Sequence, residues 1–131
     1  MNEAVPFRLD TSSGVPFYRQ VIDQVLLAVA DGRLAPGTQL PTVRQLAVDL
    51  EVNLNTVAKA YREMEIRGIV DTQQGTGTFV AARPSAASAG ERRKALERLV
   101  DEVLARAGSQ GFMLEEVADA LAARSTGTRR R

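Results

Sequence analysis

The sequence predicts a mainly α-helical protein that carries one small β-hairpin. Two observations predict this class: apolar residues recur every three or four positions in five separate segments, and two β-rich runs flank a glycine-rich turn. A third is composition, because 44% of the 131 residues are hydrophobic and only 5% are aromatic. Such a chain has room for one domain of ordinary size, or for a small domain with an appendage too short to fold alone.

The first predicted helix begins near Val15 and ends at Asp31 and Gly32. It follows an extended segment at 6–10 and a polar turn at 11–14. Its apolar stripe, which we expect to face the core, consists of Phe17, Tyr18, Val21, Ile22, Val25, Ala28 and Val29.

Two further helices are predicted, joined by a tight turn at Glu51 and Val52. Thr42 and Asn53 are favourable N-caps for helix 2 and helix 3, and Gly68 lies where a C-terminal glycine belongs. The predicted buried stripes are Val43, Leu46, Ala47 and Leu50 in helix 2 and Val57, Ala60, Tyr61 and Met64 in helix 3.

A β-hairpin is predicted after helix 3, with strands at 69–73 and 78–80 around a turn at 74–77. The order of three helices and a hairpin is that of a winged helix-turn-helix, which we assign to residues 1–82. In this arrangement the N-terminal half of helix 3 can enter the major groove of DNA. The sequence therefore predicts a double-stranded DNA operator as the partner.

The remaining residues predict a two-helix C-terminal dimerisation tail. Residues 83–90 are rich in alanine, serine and proline and read as a linker, 91–124 as a helical hairpin, and 125–131 as a mobile basic tail. Two helices of about 10 to 17 residues cannot close their apolar stripes alone, so we expect a homodimer, with docking on helix 1 as the alternative. The residues expected at the dimer contact are Leu96, Leu99, Val100, Val103, Leu104, Val117 and Leu121.

Cysteine and histidine are both absent, and this excludes disulfides, thiolate chemistry and a histidine general base. We therefore predict no metal site, no cofactor and no enzymatic activity, because no set of nucleophile, base and orienting group can be assembled. No apolar run approaches the length of a membrane span, and the N-terminus lacks a signal pattern, which predicts a cytoplasmic protein. A small-molecule effector is compatible with the sequence, but nothing in it indicates one.

Helix 3 carries the candidate base-reading residues on the side opposite its apolar stripe. Asn55 can read an adenine edge, Lys59 and Arg62 can reach guanine or phosphate, and Thr56 can reach a phosphate. The alternative is that these side chains are merely solvated.

Arg44, in the first turn of helix 2, can anchor a phosphate or form a surface salt bridge with Asp49 or Glu51. The turn at Gly75, Thr76 and Gly77 has no large side chain, so its backbone can approach DNA closely, or it is simply a tight turn. Both alternatives stay open at the level of the sequence.

The charge of the N-terminal half favours a rival interpretation. Residues 1–80 contain seven Lys or Arg against nine Asp or Glu, whereas the residues that follow contain ten against seven. A surface that binds phosphate must therefore be a local patch. The rival is a winged helix that binds a protein partner and has no specific DNA binding.

Three motifs in order resemble the signature of the GntR family of regulators. They are residues 40–47 (LPTVRQLA), 52–61 (VNLNTVAKAY) and 75–80 (GTGTFV), and the short helical tail resembles the YtrA subfamily. The resemblance implies a dimeric, usually repressing, operator-binding protein. It also implies DNA contacts at Arg44, Asn53, Asn55, Thr56, Lys59 and the turn at 75–77, and we add Thr42 and Arg62 as candidates.

The chain departs from the family pattern at two places. Many members carry arginine where Leu54 and Ala58 stand here, and a basic residue in the wing where this chain has Gln73, Gln74 or Thr76. The base preference and the affinity for DNA are therefore expected to differ. Larger subfamilies append an effector-binding or aminotransferase-like domain, whereas the short helical tail predicted here leaves little volume for a dedicated ligand pocket.

Overall fold

The structure of the protein is a computed structural model that describes residues 7–82 and 88–129. These residues form five α-helices and one two-stranded antiparallel sheet, which confirms the predicted class. The chain divides into two compact units between residues 83 and 84. The elements are α1 (Phe17–Ala30), α2 (Val43–Leu50), α3 (Leu54–Ile66), β1 (Val70–Gln73), β2 (Gly77–Val80), α4 (Ala89–Ser109) and α5 (Leu114–Arg129).

The core of the first unit lies between α1, α3 and the sheet. The apolar stripes of α1 and α3 face each other because both repeat with the period of a helix. Apart from the tyrosine Tyr61, no side chain with a polar or charged group is buried among the described residues, so most of the polar chemistry of this unit lies at its surface. The largest fully buried side chains are Val21, Ile22, Val25, Val57, Met64 and Val70.

The turn between α2 and α3 is tight because Glu51 adopts a left-handed conformation, with φ of 57° and ψ of 45°. The backbone N–H of Glu51 donates to the carbonyl of Val48 at 3.2 Å, and Val52 N–H donates to that of Ala47 at 3.1 Å. The carbonyls at the end of α2 are thereby satisfied before α3 begins.

The hairpin has Val70 opposite Val80 and Gln73 opposite Gly77. A short extended segment before Pro41 runs along the free edge of β2. Val80 N–H donates to the Thr38 carbonyl at 2.8 Å, and Leu40 N–H donates to the Thr78 carbonyl, also at 2.8 Å. The hairpin is thus joined by main-chain bonds to the segment that leads into α2.

Two glutamines of α1 hold the segment before it, a feature that the sequence did not predict. The Gln24 carboxamide donates to the Arg8 carbonyl at 2.6 Å and accepts from Arg8 N–H at 3.0 Å. Gln20 accepts from Asp10 N–H at 2.8 Å and donates to its carbonyl at 3.0 Å. Each side chain therefore pairs with the extended backbone as a neighbouring strand would.

The second unit consists of α4 and α5. Ser88 caps α4 in a capping box with Glu91, so the helix begins at Ala89 and not at residue 91. α4 has 21 residues, so the predicted length of 10 to 17 residues was too short for it. Of the predicted linker, residues 83–87 lie outside the described residues.

The sequence assigns residues 125–131 to a mobile tail, and in the structure the backbone of α5 extends through the first of them to Arg129. No proline follows Leu114 in the sequence, and extending an existing helix costs less than nucleating one. Residues 130 and 131 lie outside the described residues.

Candidate nucleic-acid interface

The candidate base-reading residues of α3 share one exposed side of the helix. Val57, Ala60, Tyr61 and Met64 are buried, as predicted, and they leave the opposite side facing solvent. Asn55, Lys59 and Arg62 are exposed on that side, and Thr56 is half-buried beside it. The packing of α3 thus brings these predicted residues together on one accessible polar surface.

Thr42 and Asn53 begin the two helices of the motif. The Thr42 hydroxyl accepts from Gln45 N–H at 3.0 Å, and the Asn53 carboxamide oxygen accepts from Asn55 N–H at 2.7 Å. These side-chain oxygens are therefore used within the protein. The amide nitrogen of Asn53 remains available as a donor to DNA.

Lys59 lies over an aromatic ring of another helix. Its ammonium nitrogen is 4.2 Å from the centroid of the Tyr18 ring on α1, which is a cation–π contact. The sequence did not reveal this contact, because Tyr18 is read there only as part of the apolar stripe of α1. The ring limits where the charge of Lys59 can lie while leaving the residue exposed.

Arg44 is exposed in the first turn of α2. Within the described part of the chain, no carboxylate forms an ion pair with it. Asp49, one of the two partners considered from the sequence, instead accepts a hydrogen bond from the Gln45 carboxamide at 2.8 Å. The Arg44 guanidinium therefore faces solvent without an acidic neighbour.

The tip of the hairpin lies beside the start of α2. Its turn is closed by Thr76 N–H, which donates to the Gln73 carbonyl at 2.9 Å, and Gly75 adopts φ of 81°. Gly75 and Thr76 are exposed, whereas Gly77 is half-buried. An open groove of about 460 Å³ separates this tip from α2 and is lined by Thr42, Val43 and residues 72–78.

The residues that the structure describes contain neither a cluster that could bind a metal ion nor a membrane-spanning helix. No group of three or more acidic, histidine or cysteine side chains is placed to hold a metal ion within 7–82 and 88–129. In the same ranges, no helix is long and apolar enough to cross a membrane.

The first unit therefore has the three parts of a winged helix-turn-helix: a capped recognition helix with an exposed polar side, a short helix before it, and a two-stranded wing. Proteins of this class bind DNA. Residues 17–80 match the model of the GntR family, described as bacterial regulatory proteins. The chain belongs to this family and is a transcription regulator, as the resemblance of its motifs predicted.

Two bacterial relatives illustrate the match. The chain is 50% identical over 74 residues to the HTH-type transcriptional regulator Rv1152 of Mycobacterium tuberculosis, which covers 56% of this chain and 61% of that protein. It is 32% identical over 110 residues to the HTH-type transcriptional repressor YtrA of Bacillus subtilis, covering 84% of this chain and 85% of the repressor. The match to Rv1152 thus spans less than two thirds of that relative.

A solved structure of a GntR-family protein is also similar to this chain. The protein described as YtrA from Sulfolobus acidocaldarius, a GntR-family transcription factor, superposes with a TM-score of 0.57 at 32% identity. The superposition covers 76% of this chain and 97% of that structure. The similarity to YtrA proteins therefore includes the winged helix and reaches beyond it.

Proposed function

We propose that this protein is a cytoplasmic repressor that binds an inverted-repeat operator as a homodimer, with α3 of each subunit in the major groove. Asn55 reads a base edge, Lys59 and Arg62 contact guanine or phosphate, and Arg44 anchors a phosphate. The family of the chain and the printed name of its B. subtilis relative, a transcriptional repressor, support the proposal.

One observation carries the DNA-binding part of this proposal. The side of α3 opposite its buried stripe is exposed and bears an amide and two cations, at Asn55, Lys59 and Arg62. An amide can form a bidentate pair with adenine, and a cation can bind guanine or phosphate. A helix of 13 residues with this surface fits a major groove about 12 Å wide.

The open groove at the wing extends the same surface. It runs between the start of α2 and the turn at 74–77, and its lining consists of four threonines, two glutamines, two glycines and Val43. It carries no acidic side chain, so a phosphate strand can approach without charge repulsion. The wing would then contact the DNA backbone beside the bases that α3 reads.

The homodimer rests on the apolar stripe of the second unit. Leu96, Leu99, Val100 and Val103 of α4 are 58%, 53%, 46% and 43% exposed, and Leu121 of α5 is 61% exposed. Leu104 and Val117 are half-buried. Contact between α4 and α5 therefore leaves much of both stripes in solvent, and water-exposed apolar area favours association.

The lengths of α4 and α5 limit the size of the contact that a second copy of this chain can make. With 21 and 16 residues, α4 and α5 are about 32 and about 24 Å long. A contact strip about 10 Å wide along both helices has an area of roughly 550 Å² per subunit, below the roughly 800 Å² of a standard interface. A dimer contact would therefore need both α4 and α5 of each subunit. Two-fold symmetry allows this, because each subunit then presents the same surface to the other.

The rival function, a winged helix that binds a protein partner, keeps one observation in its favour. The seven cations and nine acids of residues 1–80 give this half a net negative charge, which weakens sequence-independent attraction to DNA. Specific binding would then depend strongly on the local contacts of α3.

The experiment is a gel shift with the DNA upstream of the gene that encodes the protein, compared with random DNA of equal length. Measurements between about 50 and about 200 mM salt separate specific contacts from phosphate attraction. The proposal predicts a fragment that is bound more tightly than random DNA throughout this range. Equal binding of every fragment would support the protein-interaction module instead.

A further inference from the structure

We propose that Gln39 is a positioning residue that holds the tip of the wing in the orientation in which it meets DNA. The inference rests on the proposed function, because it assigns a role to the wing in operator binding. Gln39 lies in the segment before α2, and its carboxamide nitrogen donates to the carbonyl of Thr76 at 3.2 Å. The two residues are 37 positions apart in the sequence.

The backbone places Gln39 over the wing. Gln39 forms an antiparallel bridge with Phe79 of β2, next to the bonds that join Leu40 to Thr78 and Val80 to Thr38. Side chains alternate along a strand, so residues 77 and 79 project from the same side of the sheet. The Gln39 side chain is therefore directed diagonally across that side toward Gly77.

Gly77 provides the space that this contact needs. A Cβ at this position would lie closer than 3.0 Å to the Gln39 amide nitrogen, and the next two atoms of the Gln39 side chain would be 3.4 and 3.7 Å away. Gly77 also has φ of 142°, which side chains rarely tolerate. The missing side chain thus allows the carboxamide to cross the strand and reach Thr76.

The main-chain bonds from residues 38–40 reach the hairpin at Thr78 and Val80, below its tip. Gly75 and Thr76 at the tip are exposed, and the bond from Thr76 N–H to the Gln73 carbonyl closes the turn without tying it to the rest of the unit. Gln39 links the tip to the segment that leads into α2, where Arg44 and the cap Thr42 lie. The wing and the helix-turn-helix are thereby presented to DNA in a fixed relation.

The test uses the full chain with Gln39→Met, which keeps the length of the side chain and removes its donor. Gln110→Met, the same change at the end of α4, is the matched control. The first measurement is ¹⁵N relaxation of the free protein. We expect the order parameters of the Gly75 and Thr76 amides to fall from about 0.85 toward about 0.6 in Gln39→Met alone, with the thermal midpoint unchanged.

The second measurement is hydroxyl-radical footprinting and salt titration on an operator that the wild-type protein binds. We expect Gln39→Met to lose protection only beside the bases that α3 covers. We also expect affinity to fall about three- to fivefold, with a shallower dependence on salt, which a purely structural role would not produce. Unchanged order parameters, or an unchanged footprint and salt slope, would overturn the role of Gln39 while leaving the proposed function intact. If the wild-type protein protects no DNA, the proposed function itself is overturned and the inference with it.

Discussion

The hydroxyl of Tyr61 on the recognition helix donates a hydrogen bond of 2.6 Å to the carbonyl of Pro41, directly before α2. Tyr61 is 6% exposed, so the bond ties α3 to the N-terminus of α2 from inside the core. Burial raises the pKa of the Tyr61 hydroxyl well above its usual range, because the ionised form would lose its hydration. The bond thus connects the two helices that carry Arg44 and Asn55.

We expect Tyr61→Phe to lower the free energy of unfolding by about 1 to 3 kcal/mol at neutral pH. The change keeps the ring but leaves the Pro41 carbonyl without its donor. Urea denaturation followed by far-UV circular dichroism measures the loss. Tyr18→Phe is the control, since the half-buried Tyr18 ring keeps its contact with Lys59 in that variant. A loss equal to that of the control would contradict a structural role for the Tyr61 hydroxyl.

The raised pKa also predicts a dependence on pH. Below about pH 10 the hydroxyl is protonated in both the folded and the unfolded state, so Tyr61 does not make the free energy of unfolding depend on pH. Above it the unfolded chain releases the proton while the folded chain keeps it, so stability falls by up to about 1.4 kcal/mol per pH unit. The gap in stability between wild type and Tyr61→Phe should therefore narrow from pH 10 upward. A gap that stays constant up to pH 11 would show that Tyr61 ionises equally in both states.

The elements of the winged helix could be predicted from the sequence because their signals are local. The spacing of Val57 and Met64 places them on one face of a helix, and Thr42, Asn53 and Ser88 act as caps through backbone groups two or three residues away. These contacts require no knowledge of the tertiary fold.

The contacts that orient the candidate site could not be predicted in this way. Gln39 and Thr76 meet across 37 positions, and Tyr61 and Pro41 across 20. The same is true of Lys59 and Tyr18, which lie on different helices. Side-chain pairing over such separations depends on how the helices and the hairpin pack, and single-sequence periodicity contains no information about it.

Two substitutions of Glu51, in the turn between α2 and α3, distinguish the effect of backbone strain from the effect of its charge. It has φ of 57°, which costs a residue with a side chain about 1 to 2 kcal/mol, whereas asparagine tolerates this region. We expect Glu51→Asn to raise the free energy of unfolding by about 0.5 to 1 kcal/mol and Glu51→Gln to leave it nearly unchanged. Both variants remove one negative charge near α3 and should bind DNA more tightly by the same factor. Equal stability of the two variants would argue against strain at this turn.

Alanine substitutions of Asn55 and Arg44 are expected to change DNA binding in different ways. Asn55→Ala keeps the cap, because the Asn55 backbone N–H makes that bond, and removes only the carboxamide. We expect it to reduce the preference for operator over random DNA by about 1 to 3 kcal/mol. Arg44→Ala should weaken both DNAs alike and lower the salt slope by about 1. Fluorescence anisotropy titrations on both DNAs measure each quantity, and an unchanged preference in Asn55→Ala would mean that α3 does not read bases through this residue.

The apolar stripe of α4 makes a prediction about assembly. Val103 lies on the stripe and is 43% exposed, whereas Ala105 lies on the opposite side of the helix and is exposed as well. Val103→Asp therefore introduces a charge into the proposed dimer contact, and Ala105→Asp introduces the same charge outside it. Both positions face solvent in a single chain, so neither change is expected to unfold the helix.

We expect Val103→Asp to sediment as a monomer and Ala105→Asp as a dimer at the same concentration, because burying an unpaired carboxylate opposes association. Two recognition helices must act together on an inverted repeat, with half-sites about 34 Å or a multiple of it apart. The monomer should therefore bind the operator about tenfold more weakly or worse, and a chain that ends after Arg83 should behave in the same way. Should both aspartate variants remain dimeric with full affinity, the dimer contact would have to lie outside the stripe of α4.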